Sequence, residues 1–448
     1  MKTFFKKYIG SLYVTSRLYA AFVCCIILFV LRFFFSWLGD IPFLAVIILL
    51  IVAVYDYILL FNKGKGIFAS RSMAERLSNG DENEIRIDIE NFYNYAVQLE
   101  VIDEVPHQFQ KRDVLFKLDI NAREKKILRY YLRPVKRGSY EFGVINIYVK
   151  TSYGLFSRRY IVGKPMDVPA YPSYMQMRKY QLMAISNRLS EIGVKKVRRI
   201  GHSMEFEQIK DYVIGDDYRT INWKATARKG QLMVNNYIDE KSQQLYCIID
   251  KSRVMKMPFE GLSLLDYAIN TSLVLSNVAL MKQDKAGLIT FSEKISSFLV
   301  ADKKALQMQS ILETLYHQKT RYLESDYERL YIFIRRKITQ RSLMLLFTNF
   351  ESLTGMRRQL KYLKKIAENH LLITIFFENT ELTKFINKPS ENLEDIYSKT
   401  IAENFSFEKR QIVKELNQSG ILTILTAPQN LTVNALNKYL EIKARQLL

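Results

Sequence analysis

Two adjacent carboxylates, Asp216 and Asp217, are the residues of this chain whose type and spacing best suit chemistry. Neighbouring acids can share general acid–base work or hold a divalent cation. They can also do something plainer. They open the run Asp216-Asp217-Tyr218-Arg219-Thr220-Ile221-Asn222-Trp223-Lys224-Ala225-Thr226-Ala227-Arg228-Lys229-Gly230, which reads as a complete helix. An acid at its start caps the first amides and complements the dipole, Arg228 and Lys229 fit the last turn, and Gly230 suits a left-handed stop. Ile221 and Ala225 supply an inward stripe, and Trp223 is expected to be a large anchor. A capping turn needs nothing more, so the structural role is the expectation. A third carboxylate, Asp250, closes the apolar run Leu245-Tyr246-Cys247-Ile248-Ile249 and is followed by Lys251-Ser252-Arg253-Val254.

Nothing else assembles into a reaction centre. His107, His202, His317 and His370 are scattered, Cys24 and Cys25 adjoin each other in an apolar run, and Cys247 stands alone. No zinc-ligand spacing or disulfide framework follows from these positions. Ser/His/Asp spacing, a glycine-rich phosphate loop and His-Glu-x-x-His are all missing from the sequence, so nucleophilic, nucleotide and zinc chemistry lack a signature. The expectation is a protein that is not an enzyme, with its soluble part in a reducing compartment.

The elements that must position these residues begin with two apolar runs, Leu18 to Leu38 and Ile41 to Phe61, separated by Gly39-Asp40. Each is about 21 residues, roughly the 30 Å of a bilayer's hydrocarbon core. Lys2, Lys6, Lys7 and Arg17 precede the pair and Lys63, Lys65 and Arg71 follow it, while the connector offers only Asp40. The positive-inside bias then puts both ends in the cytoplasm. Arg32 and Asp56 interrupt the runs, about 21 Å and 8 Å from the cytoplasmic side by helical rise. That leaves them too far apart to pair, and each is expected to snorkel to its nearer interface. The formal net charge of +21 admits nucleic acid, anionic lipid or an acidic protein as partner. For a membrane-tethered chain, anionic headgroups are the simplest of these.

From 67 to 174 the rhythm becomes that of strands. Glu84-Ile85-Arg86-Ile87-Asp88-Ile89-Glu90 alternates strictly, and Ile127 to Leu132 and Val144 to Val149 continue it, with turn signals at Asn79-Gly80, Arg137-Gly138 and Tyr153-Gly154. Several short strands over about a hundred residues predict a small β-sandwich. Beyond 241, buried-type strands alternate with helical stretches, which implies an open, largely parallel sheet. Strands are expected at Leu245–Asp250, Ala286–Phe291, Ile295–Val300, Leu343–Phe347, Leu371–Phe376 and Gly420–Leu425, and helices at about 262–281, 304–317, 327–337 and 356–368, with another closing the chain. In such sheets ligands bind at the carboxyl ends of the strands, where Asp250 and Ser252 sit.

Phe206-Glu207, Asp211-Tyr212, Gly215-Asp216-Asp217, Arg219, Ile221-Asn222-Trp223-Lys224-Ala225, Ala227-Arg228 and Gly230 together resemble the hallmark of the bacterial family called domain of unknown function 58. Arg133-Pro134, Arg137-Gly138 and Tyr153-Gly154-Leu155 look like the same family's β-region. The resemblance implies a membrane-anchored protein with a von Willebrand factor A-like, Rossmann-like C-terminal domain, encoded beside a MoxR-type AAA+ ATPase. Lys195-Lys196 and Arg198-Arg199 lead into the motif as a basic approach. In von Willebrand A-like domains the strand-end loop resembles Asp-x-Ser-x-Ser and holds a hard cation such as Mg²⁺. Here Asp250 and Ser252 match, Val254 replaces the third ligand, and Ser325 and Asn349 would stand in the remaining places. An aliphatic side chain cannot ligate and an amide brings no charge, so a degenerate site is expected.

The organisation expected is a multidomain chain: a cytoplasmic N-terminus (1–17), a transmembrane helical hairpin (18–61), a β-sandwich (67–174), a junction with the motif (175–240) and a von Willebrand A-like α/β domain (241–448). It would sit in the bacterial inner membrane as a multi-pass protein with its soluble domains in the cytoplasm. There it would act as a scaffold for a MoxR-type ATPase and for other membrane or von Willebrand A-like proteins, in complex assembly or envelope stress. A hydrolase or other enzyme of unrecognised type, or a binder of nucleic acid or another anionic polymer, is the alternative; no specific nucleic acid is expected.

Overall fold

The computed structural model describes residues 10–64, 66–111, 114–185, 205–214, 216–238, 242–390, 392–445 and 447, without the side chains of 36, 184–185, 205–208 and 236–238. The chain divides into two compact units, Met1–Tyr171 and Pro172–Leu448.

In the first unit, strand β1 (Leu12–Val14) leads into helix α1 (Ser16–Phe34), and a short turn at 36–38 precedes helix α2 (Ile41–Phe61). Both helices are long and apolar enough to cross a membrane, and most of their side chains are exposed. Ten strands follow: β2 (Ile67–Ser72), β3 (Leu77–Ser78), β4 (Asn83–Asn91), β5 (Val97–Asp103), β6 (Leu115–Ile120), β7 (Lys125–Leu132), β8 (Gly138–Phe142), β9 (Ile145–Lys150), β10 (Phe156–Val162) and β11 (Met166–Tyr171). They form sheets of order β1-β10-β9-β5-β6, β2-β4-β7 and β3-β11-β8. The alternation along β4 is the reason for its orientation. Ile85, Ile87 and Ile89 enter the core that all three sheets share, while Glu84 and Glu90 reach Arg129 and Lys125 of β7 across the outer face. Inside that core Arg71 donates through Nε to Asp103 (3.1 Å) and through Nη1 to the Gly143 carbonyl (3.1 Å), and the Tyr130 hydroxyl also reaches Asp103. Burial next to that carboxylate pushes the Tyr130 phenol above its usual range.

The feet of the helical pair are built into this unit. Asp56 is fully buried: its carboxylate accepts the backbone amides of Leu155 (3.0 Å) and Phe156 (2.9 Å) and the hydroxyl of Thr151. Snorkelling, the sequence expectation for Asp56, is therefore corrected, because a carboxylate with three donors in reach has no need of water. The last carbonyls of α2, which no intrahelical amide can satisfy, take side-chain donors instead. Tyr95 bonds the Leu59 carbonyl (2.7 Å), Tyr93 and Arg158 that of Leu60 (2.8 and 2.7 Å), and Arg158 reaches on to the Lys63 carbonyl just past the helix (2.8 Å). At the start of α1, the Thr15 hydroxyl bonds the carbonyls of Gly154 and Leu155. Gly154 has φ +64°, in the left-handed region that glycine adopts without strain. Arg32, at the other end, reaches Asp40 at 3.6 Å.

In the second unit, helix α3 (Tyr174–Ile185) comes first, followed by an antiparallel pair of strands, β12 (Glu205–Asp211) and β13 (Met233–Ile238), that encloses helix α4 (Trp223–Lys229). Strand β14 (Gln244–Asp250), the small pair β15 (Pro258–Phe259) and β16 (Leu262–Ser263), helix α5 (Leu264–Met281), β17 (Lys285–Phe291) and β18 (Ile295–Asp302) come next. Helices α6 (Gln307–Tyr316) and α7 (Tyr327–Lys337), β19 (Leu343–Phe347), α8 (Leu353–Asn369), β20 (Leu371–Phe377), α9 (Thr380–Ile386), α10 (Leu393–Gln418), β21 (Leu422–Thr426) and α11 (Leu431–Arg445) complete it. The sheet order is β18-β17-β14-β19-β20-β21, parallel throughout except for the β17–β18 hairpin. Helices α5, α6 and α11 pack on one face of the sheet and α7, α8 and α10 on the other. Burial on both faces explains the apolar runs of β14 and β19 and the nearly continuous one of β20, interrupted only by Thr374. By length and composition α5 too could cross a membrane, but its side chains are consumed by the core. Its start is fixed by a capping box between Ser263 and Asp266.

Candidate functional site

Two places in the second unit gather the residues singled out by the sequence. The first is the carboxyl end of the parallel strands. Asp250 ends β14 as a buried carboxylate; its Oδ1 accepts the Ser252 amide (2.8 Å) and the Ser325 hydroxyl, and its Oδ2 accepts the Thr348 hydroxyl (2.7 Å). Thr348 is held in turn by the Tyr327 hydroxyl at 2.8 Å. Burial pushes the Asp250 carboxyl above its usual range, while the hydrogen bonds from Ser325, the Ser252 amide and Thr348 pull the other way. Asp250, Ser252, Val254, Ser325 and Asn349 line one cavity of about 220 Å³, so all four candidate ligands face a common space.

They do not fit a hard dication. Asp250 is the sole charge among them and its three hydrogen bonds are already made. The Asn349 amide oxygen is turned to the Lys409 ammonium (2.7 Å), which also donates to the Phe377 carbonyl (2.7 Å). Burial depresses the Lys409 ammonium to about 8. Lys251 is buried against Gln318 (2.9 Å) and Arg253 lies 3.7 Å from Glu351, so cations rather than acids flank Asp250 in sequence. Among the described residues no group of three or more His, Cys, Asp and Glu side chains could hold a metal. Thr348 and Tyr327 were not named as site residues from the sequence, although Thr348 follows β19 directly and the strand-end rule points to it. Lys409 carries no such signal, because it arrives on α10, 60 positions along the chain from Asn349.

The second place is the motif between β12 and β13. Its polar residues build the segment. Asp216 accepts from Lys210 Nζ (2.9 Å) and from the Val213 amide (3.0 Å); chiefly the Lys210 bond holds its carboxyl below the usual range. Asp217 accepts the Arg219 amide (2.9 Å) and so caps a single 3₁₀ turn, Tyr218–Thr220. The cap of α4 is Asn222, whose Oδ1 takes the Ala225 amide (3.0 Å) and whose Nδ2 donates to Asn235 (2.8 Å). The expectation that Asp216 or Asp217 caps this helix is thus corrected: the intervening 3₁₀ turn uses Asp217, and the helix starts later. Gly230 ends α4 at φ +72°, in the left-handed conformation expected. Lys229 and Asp211 pair at 3.1 Å, Tyr212 donates its amide to the Leu232 carbonyl (2.9 Å), and Lys224, Arg219 and Arg228 are exposed.

Trp223 is not the inward anchor expected of it. It is 70% exposed, and Tyr218 (69%), Val213 (62%) and Ile214 (97%) are exposed on the same segment, an unusual concentration of large apolar groups in water. The inward stripe was read from α4 alone; Met233 and Val234 of β13 supply the buried apolar side chains of this segment, while Ile221 and Ala225 are only half-buried. Gly215, the side chains of Phe206 and Glu207, and Lys195, Lys196, Arg198, Arg199 and His202 lie outside the described residues.

Residues 208–383 match the family described as Protein of unknown function DUF58, in agreement with the resemblance carried by the motif. Over 126 residues the chain is 26% identical to the protein YeaD of Bacillus subtilis (strain 168), an alignment covering 28% of this chain and 31% of that protein. The chain thus spans about a third of the length of the curated relative it matches. Among solved structures, it is similar to BatB from Bacteroides thetaiotaomicron with 11% identity and a TM-score of 0.29, over 45% of this chain and 98% of that one. The CARDB domain of a Pyrococcus furiosus protein aligns with 13% identity and a TM-score of 0.16, over 23% of this chain and 86% of that one.

Proposed function

We propose that this chain, which carries a DUF58 region, is a membrane-anchored interaction protein rather than an enzyme, and that it grips a MoxR-type AAA+ ATPase through the motif segment. The observation that carries this reading is the division of labour within the motif: Asp216, Asp217 and Asn222 are spent on holding the backbone, while Ile214, Tyr218 and Trp223 are presented to solvent. Exposed tryptophan and tyrosine on a rigid support are what protein interfaces use as anchors. The reading includes a multi-pass anchor in a bacterial inner membrane with both units on the cytoplasmic side, in keeping with the cations that flank the helical pair. It also takes the first unit's sheets as a β-sandwich and the second unit as a von Willebrand A-like domain that has given up its metal. The strand-end cavity would then serve as a second, metal-independent contact for the ATPase or its client in complex assembly.

The test is direct. The full-length protein, purified in detergent, is immobilised and exposed to the MoxR-type ATPase of the same organism with and without ATP. Saturable binding that Trp223→Ala and Tyr218→Ala weaken at least about tenfold is expected, as befits interface anchors. Absence of binding in both nucleotide states removes the proposal.

A further inference from the structure

The rim of the first unit around the helical pair is built mainly from tyrosine and arginine. Tyr13, Tyr19, Tyr55 and Tyr153 are all exposed there. Tyr55 stands edge-on to Tyr153 with ring centroids 5.9 Å apart, and Tyr13 stands edge-on to Tyr148 at 5.3 Å. Arg17 is fixed by the carbonyls of Ser152 (3.3 Å) and Tyr153 (3.2 Å), and Arg159 donates to the Tyr13 hydroxyl (3.3 Å). The rings of Tyr13, Tyr55 and Tyr153 therefore pack against a neighbouring ring while staying partly exposed, and Tyr19 is exposed in the first turn of α1. Such side chains settle at the boundary between hydrocarbon and water.

The far end of the pair has a matching girdle. Trp37, Phe33 and Phe34 are exposed at the turn, and the Arg32 guanidinium lies 4.9 Å from the Phe43 ring centroid, close to Asp40. Between the two girdles α2 is apolar from Ile41 to Tyr55, a rise of about 22 Å. With the turn that carries Trp37 added, this approaches the thickness of a hydrocarbon core. The next residue, Asp56, is already inside the first unit and bonded to Leu155 and Phe156. The face of α2 that carries Asp56 and Leu60 thus meets the sheets from this point on, while Ile58 on another face is still 54% exposed.

We propose that Tyr13, Tyr19, Tyr55, Tyr153 and Arg17 form a collar that binds phospholipid headgroups, so that the loop from Thr151 to Leu155 rests directly on the bilayer surface. The inference rests on the reading of α1 and α2 as a membrane anchor and adds the depth at which the anchor stops. Phosphates pair with the arginine and hydroxyls, and glycerol backbones lie against the tyrosine rings.

The test uses the full-length chain reconstituted in phosphatidylcholine vesicles whose acyl chains carry bromine either near the headgroup or near the chain end. In a Trp223→Phe background Trp37 reports on the far girdle; with Trp37→Phe and Tyr153→Trp added, the introduced indole reports on the collar. A Tyr55→Trp version of the second protein gives an independent reading if the first misfolds. Both reporters are expected to be quenched at least about twofold more by shallow than by deep bromine, as for indoles at an interface. Quenching of Trp37 with none at positions 153 and 55 would overturn the collar and leave the anchor intact. No quenching of any reporter would overturn the anchor, and the collar with it.

Discussion

The Asp56 carboxylate accepts the backbone amide of Phe156 at 2.9 Å, which ties the last turns of a membrane-length helix to the first residue of a sheet strand. Asp56→Ala is expected to leave the amides of Leu155 and Phe156 and the Thr151 hydroxyl without an acceptor, at a cost of about 1–3 kcal/mol for each donor left unpaired. Asp56→Asn keeps one acceptor oxygen and should cost less. Thermal unfolding of the first unit, followed in detergent by circular dichroism, orders the three proteins; equal midpoints would contradict the geometry.

Trp223 and Asn222 are neighbours in sequence and should behave oppositely. Trp223→Ala removes an exposed ring and is expected to change stability by less than about 0.5 kcal/mol while weakening partner capture at least about tenfold. Asn222→Ala removes the cap of α4 and should cost about 1 kcal/mol. Unfolding midpoints and binding isotherms measured on the same preparations separate the two effects.

At the strand ends, Asp250→Ala is expected to destabilise the second unit by a few kcal/mol, because the Thr348 and Ser325 hydroxyls and the Ser252 amide lose their common acceptor. Added Mg²⁺ or Mn²⁺, or a chelator, should leave the melting temperature of the wild-type protein unmoved. A rise with Mg²⁺ that Asp250→Ala removes would establish a metal site after all.

Lys409 gives the pH prediction. Burial lowers its folded-state value to about 8, beneath the ordinary lysine value. Below that pH both states are protonated and the folded state carries the full penalty of a buried ammonium. As pH rises through 8 toward the unfolded value near 10.4, the unfolded chain binds the extra proton and the penalty is relieved. The wild type should therefore gain stability relative to Lys409→Met as pH goes from about 8 to about 10. Paired denaturant titrations at three pH values in that window would show it, and a constant difference would refute it.

Much of the architecture is legible in the residues because burial on one face or two leaves a distinct rhythm. Glu84 to Glu90 alternates because β4 has one wet face, and Leu343 to Phe347 does not alternate because β19 has none. The stretch from 393 to 405 carries no helical core pattern because the first half of α10 exposes Leu393, Ile396, Tyr397, Ile401 and Phe405, so apolar residues there mark no core. Trp223 misled for the same reason, since a large apolar side chain in a helix is read as inward by default. Asp56 misled because its partners, Thr151, Leu155 and Phe156, lie almost a hundred positions away and two of them contribute only backbone. Spacing along the chain carries no trace of such a contact.

The clamp of Arg158, Tyr93 and Tyr95 on the end of α2 couples the helical pair directly to the sheets of the first unit. A force applied to those sheets would therefore be passed through these side chains to the two apolar rods.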